Sequence, residues 1–135
     1  MTDCIFCKIV NKELPADVIY ENDDVLVFMS LEQITPGHLL VIPKKHYVNL
    51  IETPEDVLKS LMGPLKKCVA AVDTLHEGST VGQNNHEAGG QVIFHLHFHI
   101  IPRNSNDGLT SWANNETTLE ERAAIAQTIR DAMDT

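Results

Sequence analysis

The sequence lacks the features that mark membrane proteins and disulfide-stabilised proteins. It contains no run of about 20 apolar residues, which a transmembrane helix requires, and it does not open with the basic and apolar segments of a secretory signal. Cysteine is scarce, with three in 135 residues, and an odd number does not fit a disulfide framework. These absences predict a cytoplasmic protein with free thiols and no contact with a membrane.

Positive charge is also in short supply. Lysine and arginine total 10 against 19 aspartate and glutamate residues, which gives a formal net charge of -9. This balance argues against binding to nucleic acid polymers or anionic membranes, which attract basic surfaces. A nucleotide remains possible as a ligand, because the charges that line a local pocket can offset the negative electrostatic field of the whole protein.

No internal repeat, low-complexity segment or conventional phosphate-binding P-loop is present. The length, the 43% hydrophobic content and the 21% charged content are typical of one globular domain. We therefore expect a single domain over residues 1–135, with residues 105–135 as a C-terminal extension and helix.

The most informative segment is residues 94–101, in which apolar residues and histidines alternate. Successive side chains of a β-strand point to opposite faces, so the pattern predicts one strand face formed by His95, His97 and His99. The other face is predicted to be core: Phe94, Leu96, Phe98 and Ile100. Imidazole can ligate a metal, carry a proton or act as a nucleophile. A half-buried strand that merely carries histidines is the less favoured alternative.

The remaining patterns predict an α+β fold. A helical turn is expected at residues 4–11, and short strands at 18–20, 25–29, 39–42 and 80–84. Thr53 and Pro54 are typical of a helix start, and the helix should run to Leu75 with a kink or split at Gly63-Pro64. A capping box at Thr118 predicts a second long helix. Strands that precede and separate two helices indicate an antiparallel sheet with helices on one side.

Cys4 and Cys7 form a C-x-x-C pair, which alone is a weak signal. With His46 and His95 they would complete a closed tetrahedral zinc site of the structural kind. The intervals are too long for a zinc finger, so only the fold can assemble such a site. Ordinary free cysteines are the alternative.

Residues 84–91 contain the glycine pair Gly89-Gly90 just before the histidine segment. Glycines allow close backbone approach to a ligand, and consecutive amides can form an anion-binding nest. A simple turn is the alternative reading of this pair.

Together these motifs resemble the histidine triad (HIT) family. The resemblance rests on four ordered segments between residues 4 and about 104: Cys4–Ile9, Pro36–His38, Pro43–His46 and His95–Arg103. It is closest to the small, bacterial-type, Hint-like branch with an N-terminal C-x-x-C zinc site. It implies a single HIT domain with a five-stranded antiparallel sheet and two main helices. It also implies a homodimer joined through the long helix and the sheet edge.

The resemblance implies a hydrolase that attacks the α-phosphate of nucleoside monophosphate derivatives, specifically a purine nucleoside phosphoramidase. His97 would be the nucleophile and form a covalent nucleotidyl-imidazole, while His99 and His38 would contact the phosphate. The alternatives are a dinucleoside polyphosphate hydrolase and a nucleotide-binding protein with weak turnover. A metalloenzyme with all three triad histidines on one metal is a further alternative.

The resemblance also implies further binding residues. Asn84 and the backbone of Gly90 and Gln91 would line the phosphate site. An apolar base pocket, whose alternative is ordinary core, would be formed by Ile5, Phe6, Phe28 and Leu31. A structural zinc would be held by Cys4, Cys7, His46 and His95.

Two nucleotide-site positions depart from the family pattern. Ser30 stands where many members have an aspartate that holds the ribose hydroxyls, and a serine bonds without charge and with shorter reach. We therefore expect weak discrimination between ribose and deoxyribose. Val92 stands where many members have a hydroxyl residue at the leaving group, which favours substrates whose leaving group departs easily.

Overall fold

The computed structural model describes residues 3–110 and 112–133 of the chain. Five strands form one sheet: β1 (Val18–Glu21), β2 (Val25–Met29), β3 (Leu39–Pro43), β4 (Gly78–Gly82) and β5 (Phe98–Arg103). Three α-helices accompany them: α1 (Ile5–Val10), α2 (Glu55–Leu75) and α3 (Leu119–Met133). No helix in these described ranges is both long enough and apolar enough to cross a membrane.

The sheet is antiparallel throughout, in the order β1-β2-β3-β5-β4. This architecture confirms the predicted α+β fold. Strand alternation separates two cores: Val27 and Val41 pack on one face with Leu61 of α2, while Phe28 packs on the other face with Phe6 of α1. α1 and α2 therefore cover opposite faces of the sheet, while α3, the second of the two helices expected on one side, has no buried residue.

The histidine segment is a shorter strand than its alternation predicts. β5 begins only at Phe98, because its pairing with β3 starts at Val41 opposite Phe98 and its pairing with β4 ends at Gly82 opposite His99. Upstream of this point the chain leaves the sheet, and the Leu96 amide donates to the carbonyl of Tyr47 at 2.7 Å.

The prediction that the apolar residues of this segment all face the core is partly wrong. Leu96 and Ile100 are fully buried, but Phe94 is 48% exposed because it precedes the paired part of the strand. Phe98 is partly buried against the α2-side core.

α2 is one continuous helix of 21 residues, so the predicted split at Gly63-Pro64 does not occur. Pro64 is one of the five buried residues of α2, and burial of an apolar face is the main source of stability for helices in proteins. The predicted cap at Thr53 is also wrong. Its hydroxyl donates to the carbonyl of Asn49 at 2.7 Å, and Pro54 occupies the N-cap position.

α3 has the predicted capping box, with the Thr118 hydroxyl accepting from the Glu121 amide at 3.1 Å and the Glu121 carboxylate accepting from the Thr118 amide at 3.1 Å. None of its residues is buried. Ile125 and Ile129, four residues apart, are 51% and 57% exposed. The helix therefore presents an apolar stripe outside the core of the chain.

Candidate functional site

Three imidazoles meet where β3 and β5 pair. His38 immediately precedes β3, and His99 lies on β5 opposite Leu40 of β3. His38 Nε2 is 2.9 Å from His99 Nδ1, and the ring centroids of His97 and His99 are 4.9 Å apart. His38 is 2% exposed and His97 is 8% exposed. The fold thus brings together the three histidines that the sequence analysis assigned to phosphate chemistry.

Hydrogen bonds define the tautomer of His97. Its Nδ1 lies 2.7 Å from the carbonyl oxygen of His95, and because a carbonyl only accepts, Nδ1 carries the proton. The lone pair of the neutral ring is therefore on Nε2, which has no hydrogen-bond partner among the described residues. This is the arrangement that a nucleophilic imidazole requires.

A second hydrogen-bond chain orients the other two rings. The Ile34 amide donates to His38 Nδ1 at 3.2 Å, so His38 Nε2 carries the proton and donates to His99 Nδ1. His99 Nε2 must then carry the proton of that ring. Its N–H is a donor available to a phosphoryl oxygen.

Burial keeps these rings neutral. It lowers the pKa of His97 and of His38, to which the charge of His97 adds a smaller effect. Burial, followed by the charges of His97 and His38, lowers the pKa of His99 to about 4. The cluster therefore holds neutral imidazole at pH 7 without an activating carboxylate.

The aromatic residues of the predicted base pocket lie beside His97. The Phe6 ring meets His97 edge-on at 5.2 Å between centroids and Phe28 at 5.4 Å. Ile5 and Leu31 are instead at the surface, with 44% and 84% of their side chains exposed. The structure thus brings two of the four predicted pocket residues together against the histidines.

Leu31 lines a cleft of about 420 Å³ at the end of β2. The cleft is lined by Pro15, Ala16, Asp17, Met29, Ser30, Leu31 and Gln33. Sequence reasoning missed Gln33, whose amide braces the loop before β3. Its Nε2 donates to the carbonyl of His38 at 2.9 Å, and its Oε1 accepts from the amides of Gly37 and His38 at 2.8 and 3.0 Å. Nothing in the sequence pattern around this turn distinguished it from an ordinary exposed polar residue.

The glycine-containing loop before the histidine segment is held by its own side chains. Asn84 Nδ2 donates to the carbonyl of Gly90 at 3.3 Å, and Gly90 has a φ of +93° that favours glycine. Gln91 is 3% exposed, and its side chain donates to the Val48 carbonyl at 2.6 Å and accepts from the His86 amide at 2.9 Å. Sequence reasoning assigned only the backbone of Gln91 to the site, whereas its side chain fixes the loop.

Val92 follows this loop and is 82% exposed. The position that carries a hydroxyl in many relatives is therefore an apolar side chain open to solvent in this chain.

The four predicted metal ligands converge. One ligand atom from each of Cys4, Cys7, His46 and His95 lies within 4.8 Å of all the others. Sulfur-to-nitrogen distances are 3.3 Å for Cys4 to His95, and 3.4 and 3.6 Å for Cys7 to His46 and His95. Tetrahedral zinc with typical bond lengths places sulfur and nitrogen ligands about 3.5 Å apart. The donor set and its spacing fit a closed Cys2His2 site.

The residues around this site orient its ligand atoms for metal binding. His95 is fully buried and its Nε2 donates to the carbonyl of Pro43 at 2.9 Å, which leaves Nδ1 with a lone pair facing the cysteines. Burial, with a further effect of the Cys4 sulfur, raises the pKa of the Cys7 thiol to about 11. A bound cation would displace the proton of each thiol.

The predicted metal ligands and the histidines predicted to contact phosphate form two separate clusters. His95 turns toward the cysteines, while His97 and His99 face each other. Phe6 lies between the clusters, with centroids 5.7 Å from His95 and 5.2 Å from His97. This division does not fit a single metal held by all three triad histidines.

A five-stranded antiparallel sheet with neutral histidines where its third and fifth strands pair is the arrangement expected of a histidine triad protein. The family model described as "HIT domain" matches residues 11–106 of this chain. The chain belongs to the HIT family.

Relatives of known sequence or structure agree with this assignment. An uncharacterized HIT-like protein of Methanocaldococcus jannaschii is 45% identical over 106 residues, 78% of this chain and 82% of its own. A protein of Arabidopsis thaliana named an adenylylsulfatase is 41% identical over 114 residues, 83% of this chain and 57% of its own. The crystal structure of a Bacillus subtilis HIT family member superimposes with a TM-score of 0.88 and 34% identity over 96% of each chain.

Proposed function

We propose that this protein hydrolyses nucleoside monophosphate derivatives at the α-phosphate, as a purine nucleoside phosphoramidase that works through a covalent nucleotidyl-histidine. One observation carries the proposal. The hydrogen bond from His97 Nδ1 to the His95 carbonyl leaves Nε2 as the site of the lone pair in a neutral, buried ring.

The first step is attack by His97 Nε2 on the α-phosphorus. A phosphorus–nitrogen bond to the imidazole forms, and the bond from phosphorus to the amine leaving group breaks. The ring becomes a cation in this step, and its Nδ1–H remains bonded to the His95 carbonyl, which stabilises that charge. The amine departs with the electron pair of the broken bond and takes up a proton from solvent.

The second step is attack by water on the same phosphorus. It forms a bond from phosphorus to the water oxygen, breaks the bond to Nε2 and restores the neutral imidazole, while the nucleoside monophosphate leaves and a proton of the water passes to solvent. The N–H of His99 Nε2 donates to a phosphoryl oxygen in both steps, and the His38 ring keeps His99 in the required tautomer. The backbone of Gly90 and Gln91 would complete the phosphate contacts.

The Arabidopsis relative supports a substrate with an adenylyl group, because that protein is named an adenylylsulfatase. The match covers 57% of that protein, so its substrate is a guide to the class and not to the identity of the substrate here. Phe6 and Phe28 pack beside His97 as buried core residues, so the exposed Ile5 and Leu31 are the predicted pocket residues open to a purine.

We further propose that Cys4, Cys7, His46 and His95 hold a structural zinc ion. A Cys2His2 set leaves no open coordination position, so the metal would tie α1 to the histidine segment and take no part in the reaction. The carbonyl of Pro43 orients the His95 ring for this role.

A nucleotide-binding protein with weak turnover is the second candidate, and one observation favours it. Val92 is 82% exposed and offers no hydroxyl to a leaving group. Substrates with poor leaving groups would then turn over slowly.

We also propose that the protein is a homodimer joined through α2 and the sheet edge. β4 is an edge strand, and Val81 on it is 44% exposed. Met62 of α2 is 43% exposed. An exposed edge next to apolar side chains is a common site for pairing with a second chain.

Turnover of a fluorogenic adenosine phosphoramidate, measured beside diadenosine polyphosphate hydrolysis, tests the proposal. We expect the phosphoramidate to be the better substrate and acid quenching to trap a nucleotidyl-protein adduct that maps to His97. Preferred hydrolysis of the dinucleotide would support the polyphosphate alternative. Nucleotide binding with no adduct and negligible turnover of both would favour the binding protein.

A further inference from the structure

The amine leaving group of the proposed reaction needs a proton, and the buried histidines do not supply one. His97 is the attacking group, and the Nε2–H of His38 is bonded to His99. The one N–H left on His99 is assigned to a phosphoryl oxygen. Burial lowers the pKa of all three rings, so none of them carries a spare proton at pH 7. A donor within the protein must therefore come from another segment.

The loop of residues 84–91 lies at the solvent side of the histidine cluster. It starts two residues after Gly82, which pairs with His99, and it returns the chain to the segment that contains His97. Residues 87–90 of the loop are exposed. Nucleophile and leaving group are roughly in line in a displacement at phosphorus, and His97 is only 8% exposed. The amine must then depart on the solvent side, next to this loop.

His86, within this loop, has a backbone conformation that belongs to glycine. Its φ of +64° and ψ of 163° lie in a region that residues with a Cβ rarely occupy. Its amide donates to Oε1 of the buried Gln91 side chain at 2.9 Å, and its carbonyl accepts from the Gly89 amide at 3.1 Å. The surrounding loop therefore imposes the strained conformation on this residue.

The other non-glycine residues with positive φ in the described ranges have local reasons for it. Lys12 follows Asn11, the C-cap of α1, where a left-handed residue is common. Asn106 has a short amide side chain that tolerates such a conformation. His86 has neither reason, and its ψ lies outside the left-handed helical region. Strain of this kind persists mainly where the side chain has a function.

The His86 side chain is available for such a function. It is exposed, and its ring has no hydrogen-bond or ion-pair partner among the described residues. Its bond to Gln91 places it across the loop from the residue that precedes Val92, whose side chain has no proton to donate. The carboxylate of the neighbouring Glu87 has none either. Imidazole both gives and regains a proton near neutral pH.

We propose that His86 is the catalytic acid that protonates the amine leaving group. The inference rests on the proposed function, since it requires a phosphoramidate whose α-phosphorus is attacked by His97. As the bond from phosphorus to nitrogen breaks, the nitrogen keeps the electron pair and takes a proton from the protonated His86 ring. The ring is left neutral and regains a proton from solvent, to which it is exposed. The solvent proton thus reaches the amine through His86.

The dependence of the rate on the leaving group tests this assignment. An alkylamine needs a proton to depart, whereas 4-nitrophenolate departs as a stable anion. His86→Ala and His86→Gly should therefore lower kcat/KM for an alkylamine phosphoramidate of adenosine by about 10²-fold or more, the range of general acid catalysis. Both should keep kcat/KM for the 4-nitrophenyl ester of AMP within about threefold. Glu87→Gln, which changes the neighbouring exposed side chain, should alter neither.

Thermal unfolding separates the backbone strain from the chemistry. Alanine keeps the Cβ that conflicts with this backbone conformation, whereas glycine removes it. His86→Gly should therefore melt at least about 2 °C above both His86→Ala and the unaltered protein. A variant that is more stable and yet less active on the phosphoramidate shows that the imidazole serves the chemistry and not the fold.

Failure of this assignment and failure of the proposed function give different results. If the two His86 variants keep the kcat/KM of the unaltered protein for the phosphoramidate, or lose the same factor on both substrates, His86 is not the acid. Hydrolysis and adduct formation by the unaltered protein would then still support the proposed function. If the unaltered protein hydrolyses neither substrate, the proposed function and this inference fail together.

Discussion

At the scale of single residues, burial and hydrogen bonding determine the protonation state and the tautomer of His38, His97 and His99. A solvent-exposed imidazole titrates near pH 6.5, whereas burial lowers the pKa of His38, His97 and His99. The backbone carbonyl at His97 and the His38–His99 bond then decide which nitrogen of each ring carries the proton. Neutrality and tautomer together give His97 the free lone pair and His99 the free N–H that the proposed mechanism uses.

Replacing His97 with alanine should abolish turnover. In the proposed mechanism this residue supplies the covalent step, so the loss in kcat should exceed the factor of about 10²–10⁴ that general acid–base catalysis contributes. AMP affinity and the far-UV circular dichroism spectrum should change little, because the phosphate retains its contacts with His99 and the loop. His76→Ala, outside the cluster, is the matched control and should keep its activity. Near wild-type hydrolysis by His97→Ala would refute the covalent mechanism.

The low pKa of His99 should appear in the pH dependence of stability. Its folded-state pKa of about 4 lies below the unfolded value of about 6.5, so between these limits the unfolded chain binds a proton that the folded chain does not. The free energy of unfolding must therefore fall as pH falls through this window. His99→Gln removes this proton and should make the slope shallower by up to about 1.4 kcal/mol per pH unit.

Urea denaturation of both proteins at intervals from pH 4.5 to 8.5 measures these slopes. Above pH 7.5 the imidazole is neutral in both states, so the two proteins should show equal slopes, which serves as the internal control. Equal slopes at pH 5 as well would mean that His99 titrates alike in the folded and unfolded chains.

Some site residues were visible in the sequence and others were not, for a physical reason. His97 and His99 stand out because an alternating pattern reports local backbone geometry. Gln33 carries no such pattern, because its contacts with Ser30 and His38 depend on the conformation of the irregular loop before β3. A loop conformation has no repeating side-chain period that the sequence could display.

At the scale of elements, the sequence pattern located the five strands but misjudged where one begins. Alternation continues back to Phe94, yet β5 starts at Phe98 because β3 and β4 offer no backbone partners upstream. The side-chain pattern reports which residues alternate, whereas strand length depends on the neighbouring strands. Because His95 precedes the paired part of β5, its side chain does not stay on one strand face with His97 and contacts the cysteines instead.

The proposed zinc site joins three distant elements and should contribute directly to stability. Cys4 is the N-cap of α1 and accepts from the Cys7 amide at 3.4 Å, while His46 and His95 come from segments outside the helices. Cys4→Ala should lower the bound zinc and reduce the melting temperature before it affects kcat, because a structural metal adds its binding energy to folding. A prolonged treatment of the unaltered protein with a chelator should have the same effect.

Elemental analysis of protein purified without chelator measures the stoichiometry, which should be one zinc per chain. Cys68→Ala is the control for loss of a cysteine. Cys68 is buried in the core beside α2, so its replacement can lower stability through a cavity but should leave the zinc content unchanged. A metal-free protein, or unchanged zinc and melting temperature in Cys4→Ala, would contradict the ligand set.

At the scale of the whole molecule, α3 is the element that a single chain does not explain. It has 15 residues, none of them buried, and isolated helices of this length are marginal in water. Its capping box contributes about 1 kcal/mol, which does not replace tertiary packing. Ile125 and Ile129 form one apolar stripe and remain half exposed. Such a stripe is expected to pack against another surface.

We therefore expect α3 to pack on a second copy of the chain in the proposed homodimer. Light scattering should give twice the chain mass of 15.0 kDa. Ile129→Asp should weaken the dimer by at least tenfold and lower the helical signal, because it places a charge in the apolar stripe. Gln127→Asp adds the same charge elsewhere on the helix and should leave the dimer intact. A monomer at micromolar concentration, or equal effects of the two substitutions, would show that this stripe does not bind a partner chain. The helix would then have to be stabilised without the burial that helices of its length normally need.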